Sequence, residues 1–185
     1  MIFVTRVILA AALAWSAFTA SALAQTAREP EAIVRPLYES TIKDPARPGF
    51  GVSKADQRLL TKSLDALWKR ADKKVNPTGR ELGVIDWDLI SNSQDPAIKS
   101  FTLKTESRDD QRATVAASFT SIYGSAQKKE VLKQVARYDF LRENGAWKID
   151  NVRLTIEGKP WELRAHLEAA LRNCIGSDRP CDAPK

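Results

Sequence analysis

Asp86 and Asp88 flank Trp87 in a stretch with little periodicity, a spacing that would set a carboxylate general base beside an aromatic wall. Aspartate is also a preferred helix N-cap, and the pattern favours one of the two capping a short turn that carries Leu89 and Ile90. Asp139 and Asp150 form a second pair, expected to face each other across a hairpin, where two acids could share a proton or hold a cation. Lys148 and Arg137 neighbour them on the same face, so an alternating charge lattice on a solvated surface accounts for all four. His166 is the sole histidine and lies beside the apolar stripe of the last helical segment. With Glu162 four residues earlier it reads as a surface i, i+4 pair. Tyr38, Trp87, Phe119 and Tyr138 could line a pocket with Asp86 and Asp88, although aromatic residues at such positions are core by default. The chain carries no Gly-x-Ser-x-Gly elbow, no glycine-rich phosphate loop and no histidine-containing metal spacing. The expectation is therefore no catalytic set, no cofactor and no metal.

The elements that must position these residues centre on Tyr138 to Asp150. Two runs of β-formers flank Asn144-Gly145, the dipeptide that best tolerates positive φ at both central positions of a type I′ turn. A two-residue loop predicts Phe140 opposite Ile149, Tyr138 opposite Asn151 and Arg142 opposite Trp147. On the other face it predicts Leu141 opposite Lys148, Asp139 opposite Asp150 and Val135 opposite Leu154. Upstream, Phe101, Leu103 and Thr105 alternate as one strand, and Ala113, Val115, Ala117, Phe119, Ser121 and Tyr123 as a second, with Lys129 to Glu143 as the third. Ile33, Val34, Leu37, Tyr38 and Ile42 predict a first helix, which Pro36 should either delay to Val34 or kink. Ser53 to Asp56 has the capping-box pattern ahead of one helix carrying Leu59, Leu60, Leu64, Leu67, Trp68 and Ala71. After Gly158, Pro160 suits a helix start, and Leu163, Leu167, Ala170, Leu171 and Cys174 share a stripe.

The 185 residues divide at their start: Arg6, the apolar run Val7 to Phe18 and the small residues Ala22-Leu23-Ala24 predict a secretory leader over 1–24, cleaved after Ala24. That places the protein in the periplasm or outside the cell, with no membrane span once the leader is gone. Residues 25–173 suit one domain with one core, and 174–185 a tail closed by a disulfide between Cys174 and Cys181. Closing so short a loop contributes ~2 to 3 kcal/mol in the chain-entropy account. The formal charge of +6 is spread among acids in Lys69 to Lys74 and Arg137 to Lys148, a mixed solvated surface that does not point to nucleic acid.

Helices first, then about four consecutive antiparallel strands, predict an α+β domain with helices on one face of a curved sheet and a C-terminal helix. Val131 and Val135 fall on the face opposite Leu132, Ala136, Tyr138 and Phe140, so the outer face is expected to be covered, with a homodimer as one way of covering it. Leu37-Tyr38-Glu39-Ser40, Asp86-x-Asp88 with Asn92-x-Gln94-Asp95, Tyr138-Asp139-Phe140 through Asn144-Gly145-x-Trp147-Lys148-Ile149-Asp150, and Leu163-Arg164 to Leu167 together resemble one exported bacterial family. That family is a domain of unknown function, and its members look like relatives of the nuclear-transport-factor-2-like (SnoaL-like) superfamily. The resemblance spans most of Val34 to Leu171 and implies a cone-shaped, strongly bent sheet wrapped around helices. It brings no activity with it. In isomerases of that superfamily a general base sits at the mouth of the cone, which is the place Asp86 or Asp88 would take. The leading expectation is a non-catalytic domain that binds a small ligand or an envelope protein. The alternatives are an isomerase- or hydrolase-like enzyme with that Asp base, and a structural envelope factor.

Overall fold

The Asn144-Gly145 turn forms as its sequence requires, with φ of 51° and 79°, joining β3 (Lys129–Glu143) to β4 (Ala146–Ile156). The computed structural model describes residues 28–47, 49–51, 53–79, 83–94, 97–124 and 129–172, so the leader over 1–24 and the Cys174–Cys181 pair lie outside the described residues. Next to the turn the expected register is seen: Arg142 opposite Trp147, Leu141 opposite Lys148, Phe140 opposite Ile149. Beyond it a bulge inserts one residue on β4, so Tyr138 faces Val152 and Asp139 faces Asn151, which corrects the expected pairing of Asp139 with Asp150 and of Tyr138 with Asn151. The same shift takes Val135 out of line with Leu154, since Arg137 already faces Arg153; on its other edge Leu154 pairs with Trp161. The cause is the inward-facing set on β4. Trp147 and Ile149 are buried at odd positions and Val152 and Leu154 at even ones, and only an extra residue between them keeps all four against the core. A β-branched residue resists the positive φ at Gly145, where an added Cβ meets no atom within 4 Å. Gly145→Val should therefore cost only the backbone term, ~1 to 2 kcal/mol, read as a lower denaturant midpoint.

The sheet is antiparallel, open and five-stranded, in the order β1 (Ile98–Arg108), β2 (Arg112–Gly124), β3, β4, β5 (Lys159–Glu162). The fifth strand replaces the helix start expected at Pro160. Glu157 and Gly158, with φ of 51° and 76°, make a second tight turn that folds Lys159–Glu162 back on β4. Pro160 is tolerated there because β5 is an edge strand and needs no ladder donor on its outer side. Ala113, Val115, Ala117 and Phe119 from β2 and Ala136, Tyr138 and Phe140 from β3 are buried on one face. On the opposite face Ser118, Lys133 and Val135 are exposed, and Val131 is 60 % exposed.

Helix α1 (Pro30–Lys43) runs unbroken through Pro36. The proline sits on the solvent side, so the carbonyl of Ala32 that loses its partner is exposed to water and the helix neither starts late nor stops. Ile42, expected on the buried stripe, is exposed at the end of the helix. The helix expected from Ser53 onward is two. Ser53 Oγ accepts from Asp56 N (3.0 Å) to cap α2 (Lys54–Gln57), and Thr61 Oγ1 accepts from Leu64 N (3.1 Å) to cap α3 (Lys62–Val75). Between them the chain straightens to join the sheet: Thr61 N donates to Ile149 O, and Ile149 N donates to Leu59 O, both at 2.8 Å. That stretch of β4 lies beyond the reach of β5 and would otherwise leave its backbone unpaired. Glu143 accepts from Lys62 N and adds a carboxylate at the start of α3. Helix α4 (Leu163–Leu171) buries Leu163, Leu167 and Ala170 against α3 and β4. No described helix is long and apolar enough to cross a membrane.

Candidate functional site

Four of the six residues singled out from the sequence meet in the core. Tyr38 of α1 stacks on Phe101 (centroids 5.0 Å apart), tilts against Phe119 (5.5 Å) and stands edge-on to Tyr138 (6.4 Å). The two phenol oxygens lie 3.2 Å apart, and neither ring has any solvent exposure. Asp88 reaches the same region from the loop before β1. Its Oδ1 accepts from Phe50 N (3.1 Å), and its Oδ2 accepts from Ser91 N (3.0 Å) and Ser91 Oγ (2.9 Å). Asp88 therefore caps a turn, as an Asp before Leu89 and Ile90 should, but that turn is closed by an Asp88–Ser93 bridge and is not a helix. Asp86 does not join them, because a bend at Trp87 leaves it exposed.

Burial is the main reason that both phenols hold their protons far above the usual tyrosine range. For Tyr38 the neighbouring Tyr138 adds to the rise, whereas for Tyr138 the hydrogen bond from Tyr38 opposes it, and Asp88 raises both. The native state thus binds phenolic protons that the unfolded chain releases above about pH 10, so stability is full below that pH and is lost above it. Each of the two tyrosines should contribute a slope of about 1.4 kcal/mol per pH unit. Ultraviolet titration should show Tyr38 and Tyr138 ionising only together with unfolding. Reversible ionisation of every tyrosine in the folded protein would contradict this burial.

The charge lattice expected around Asp139 and Asp150 is divided by the β4 bulge into two separate pairs. Asp139 receives a two-pronged contact from Arg153 (2.7 and 2.8 Å) and a hydroxyl from Thr114 (2.9 Å). Asp150 binds Arg164 and accepts from Thr61 Oγ1 (2.8 Å), and Arg164 also donates to Ser63 Oγ (2.7 Å), so this group ties α4 to the start of α3. Arg137 turns away to Glu106, and Lys148 donates to Arg58 O. A polar cleft of about 530 Å³ opens beside both acids, lined also by Arg108, Asp109 and Arg112. With Asp139 and Asp150 each held by an arginine, neither is free to share a proton with the other.

Trp87 and His166 appear in a different place from the one expected. His166 does not pair with Glu162, which precedes α4 and accepts from Asn151. Its ring packs edge-on to Trp87 (5.7 Å) and against Trp161 (5.3 Å), with Trp87 to Trp161 at 5.5 Å. Its Nε2 lies 3.0 Å from Val84 O, and since a carbonyl can only accept, that nitrogen carries a hydrogen. The triad locks the 83–87 segment against α4 and β5.

On the other side of that segment lies a cleft of about 300 Å³, walled by Phe50, Leu60, Trp68, Ile85 and Trp87, with Asp65, Lys69 and Asp72 at its polar side. Asp65, Trp68, Lys69 and Asp72 share one face of α3 at i, i+3, i+4 and i+7. Asp65 is paired with Lys69 at 2.6 Å. Asp72 Oδ1 accepts from Val84 N (3.0 Å), and the backbone approaches so closely that a Cβ on Gly83 would stand 2.9 Å from the same oxygen. Opposite, Gly51 has a φ of 90°, and a Cβ there would come within 2.4 Å of the Trp68 ring. The ring lies flat on glycine backbone.

Sequence reasoning missed Phe50, Trp68, Asp72 and the cleft they share, having assigned Trp68 to the apolar stripe. The signals were Gly49-Phe50-Gly51, where glycines bracket an aromatic residue, and the polar-aromatic stripe running along α3 beside the leucines. The described residues contain no group of three or more His, Cys, Asp or Glu side chains placed to hold a metal ion. Comparison of the chain with protein-family models and with curated proteins finds no match in either.

Proposed function

We propose that the chain is an exported, non-catalytic binding domain of the nuclear-transport-factor-2-like kind, and that its ligand seat is the cleft between α3 and the 83–87 segment. The observation that carries this reading is a cleft of about 300 Å³, at the small end of the range for small-molecule sites, in which the aromatic side chains Phe50, Trp68 and Trp87 meet polar groups of α3. The region that an isomerase-like enzyme would use supports it from the other side. Tyr38, Phe119 and Tyr138 are packed against one another, and both oxygens of Asp88 are committed to Phe50 and Ser91. A general base needs a lone pair directed at substrate. The open α+β sheet and the leader pattern at the N-terminus agree with an exported domain of this superfamily.

Native mass spectrometry of the protein isolated from an envelope extract tests the reading. A bound small molecule, lost in Trp68→Ala, is the expected result. A chain that carries nothing, or carries only another protein, would overturn it. A second property, self-association through the outer sheet face, is favoured by Val131 and Val135, which are 60 % and 38 % exposed on β3. Light scattering that finds a monomer at all concentrations would remove it.

A further inference from the structure

We infer that the cleft between α3 and the 83–87 segment selects small organic cations: an ammonium group on a flat or compact apolar body. This rests on the proposed binding role and names the ligand class of that same site. The walls include the aromatic side chains of Phe50, Trp68 and Trp87 and the aliphatic Leu60 and Ile85, with Gln57 beside them. Trp68 and Trp87 both line the cleft; Gly51 closes one face of Trp68, and among the described residues Trp87 makes its ring contacts with Trp161 and His166. Aromatic faces attract cations, tryptophan most strongly.

The charges at the polar side decide between ligand classes. Among the described residues of the lining, two carboxylates, Asp65 and Asp72, stand with one ammonium, that of Lys69, one net negative charge. Lys69 is taken by Asp65. Asp72 has the Val84 N–H on one oxygen and no cationic partner within 4 Å among the described residues. An anion entering the cleft would face Asp72 without compensation. A neutral molecule would strip water from that carboxylate and return at most an uncharged hydrogen bond. A cation replaces the lost water with a charge-assisted contact and meets indole faces with its remaining surface. The volume suits a single ring with a short aminoalkyl arm. Asp72 is also held in place, by Val84 N on one side and by the close Gly83 backbone, so the charge is fixed before the ligand arrives.

Phenyl probes of similar size and opposite or no charge test the inference: calorimetric titration with phenethylamine, 2-phenylethanol and phenylacetate. Phenethylamine should bind at least tenfold more tightly than 2-phenylethanol, with phenylacetate the weakest. Asp72→Asn keeps an acceptor for Val84 N and should abolish the tenfold preference while leaving 2-phenylethanol binding within twofold, with thermal unfolding confirming an intact fold. Equal affinities for amine and alcohol, tightest binding of phenylacetate, or a preference that survives in Asp72→Asn would each overturn the cationic class while leaving the cleft as a binding site. Heat from none of the three probes would overturn the class and the site together.

Discussion

Asp88→Ala is expected to lower the unfolding free energy by about 3 kcal/mol or more, since an unsatisfied buried donor costs ~1 to 3 kcal/mol and this change orphans three, Phe50 N, Ser91 N and Ser91 Oγ. Asp88 is 7 % exposed, and its carboxylate holds Phe50 N on one oxygen and Ser91 N and Oγ on the other. Without it, the backbone of Phe50 and the turn that buries Leu89 and Ile90 both lose their anchor. Against a typical total of ~5 to 15 kcal/mol this is a large fraction, and it should appear as a marked fall in the denaturant midpoint. Asp88→Asn keeps one amide oxygen as acceptor and should fall between wild type and alanine. A catalytic base at this position demands the opposite pattern: stability unchanged in Asp88→Asn and a turnover that disappears.

Gly51→Val should be comparably severe, at about 2 to 6 kcal/mol, because backbone strain and overpacking each cost ~1 to 3 kcal/mol. The φ of 90° is one that a β-branched residue resists. The added carbon would also stand 2.4, 2.8 and 2.9 Å from three atoms of the Trp68 six-membered ring. The ring is rigid, so it must leave its place and take one wall of the cleft with it. A double-mutant cycle separates the two costs. Gly51→Ala in a Trp68→Ala background should lose the steric part and keep the backbone part. Additive effects in that cycle would mean that Trp68 does not lie on Gly51.

How much of this was legible in the sequence varies with the range over which each feature is determined. The Asn144-Gly145 turn and the pairs next to it follow from local backbone preference, and the alternation of Ala113 to Phe119 follows from a single buried face. The bulge on β4 was also written there: Trp147 and Ile149 are spaced by two, Val152 and Leu154 by two, and the step between the pairs is three. A strict two-residue loop rule carried along the whole hairpin passes over that step, and so places Asp139 opposite Asp150. The division of one expected helix into α2 and α3 answers to a non-local demand, the unpaired backbone at Ile149 that Leu59 and Thr61 satisfy. Leucine periodicity carries no trace of it. Gly158 could have announced β5, since glycine takes the positive φ of a tight turn, but Glu157 gives no such signal and Pro160 suggested a helix start more strongly. Among the candidate residues, Tyr38, Asp88, Phe119 and Tyr138 do converge, and Asp86 does not. The cleft drew on Phe50, Trp68, Asp72 and Trp87 from three separated segments, and nothing in spacing along a chain tells which loops a helix will meet.

The location of the ligand seat is tested most directly by nuclear magnetic resonance shift mapping during titration with 2-phenylethanol and then phenethylamine. The expected result is that Gly51, Gly83 and the indole N–H signals of Trp68 and Trp87 shift together along one binding curve, more steeply for the amine, while Tyr38 and Tyr138 stay where they are. Shifts centred on Tyr38, Phe119 and Tyr138, with the Trp68 signal unmoved, would contradict the account and return the site to the interior of the sheet.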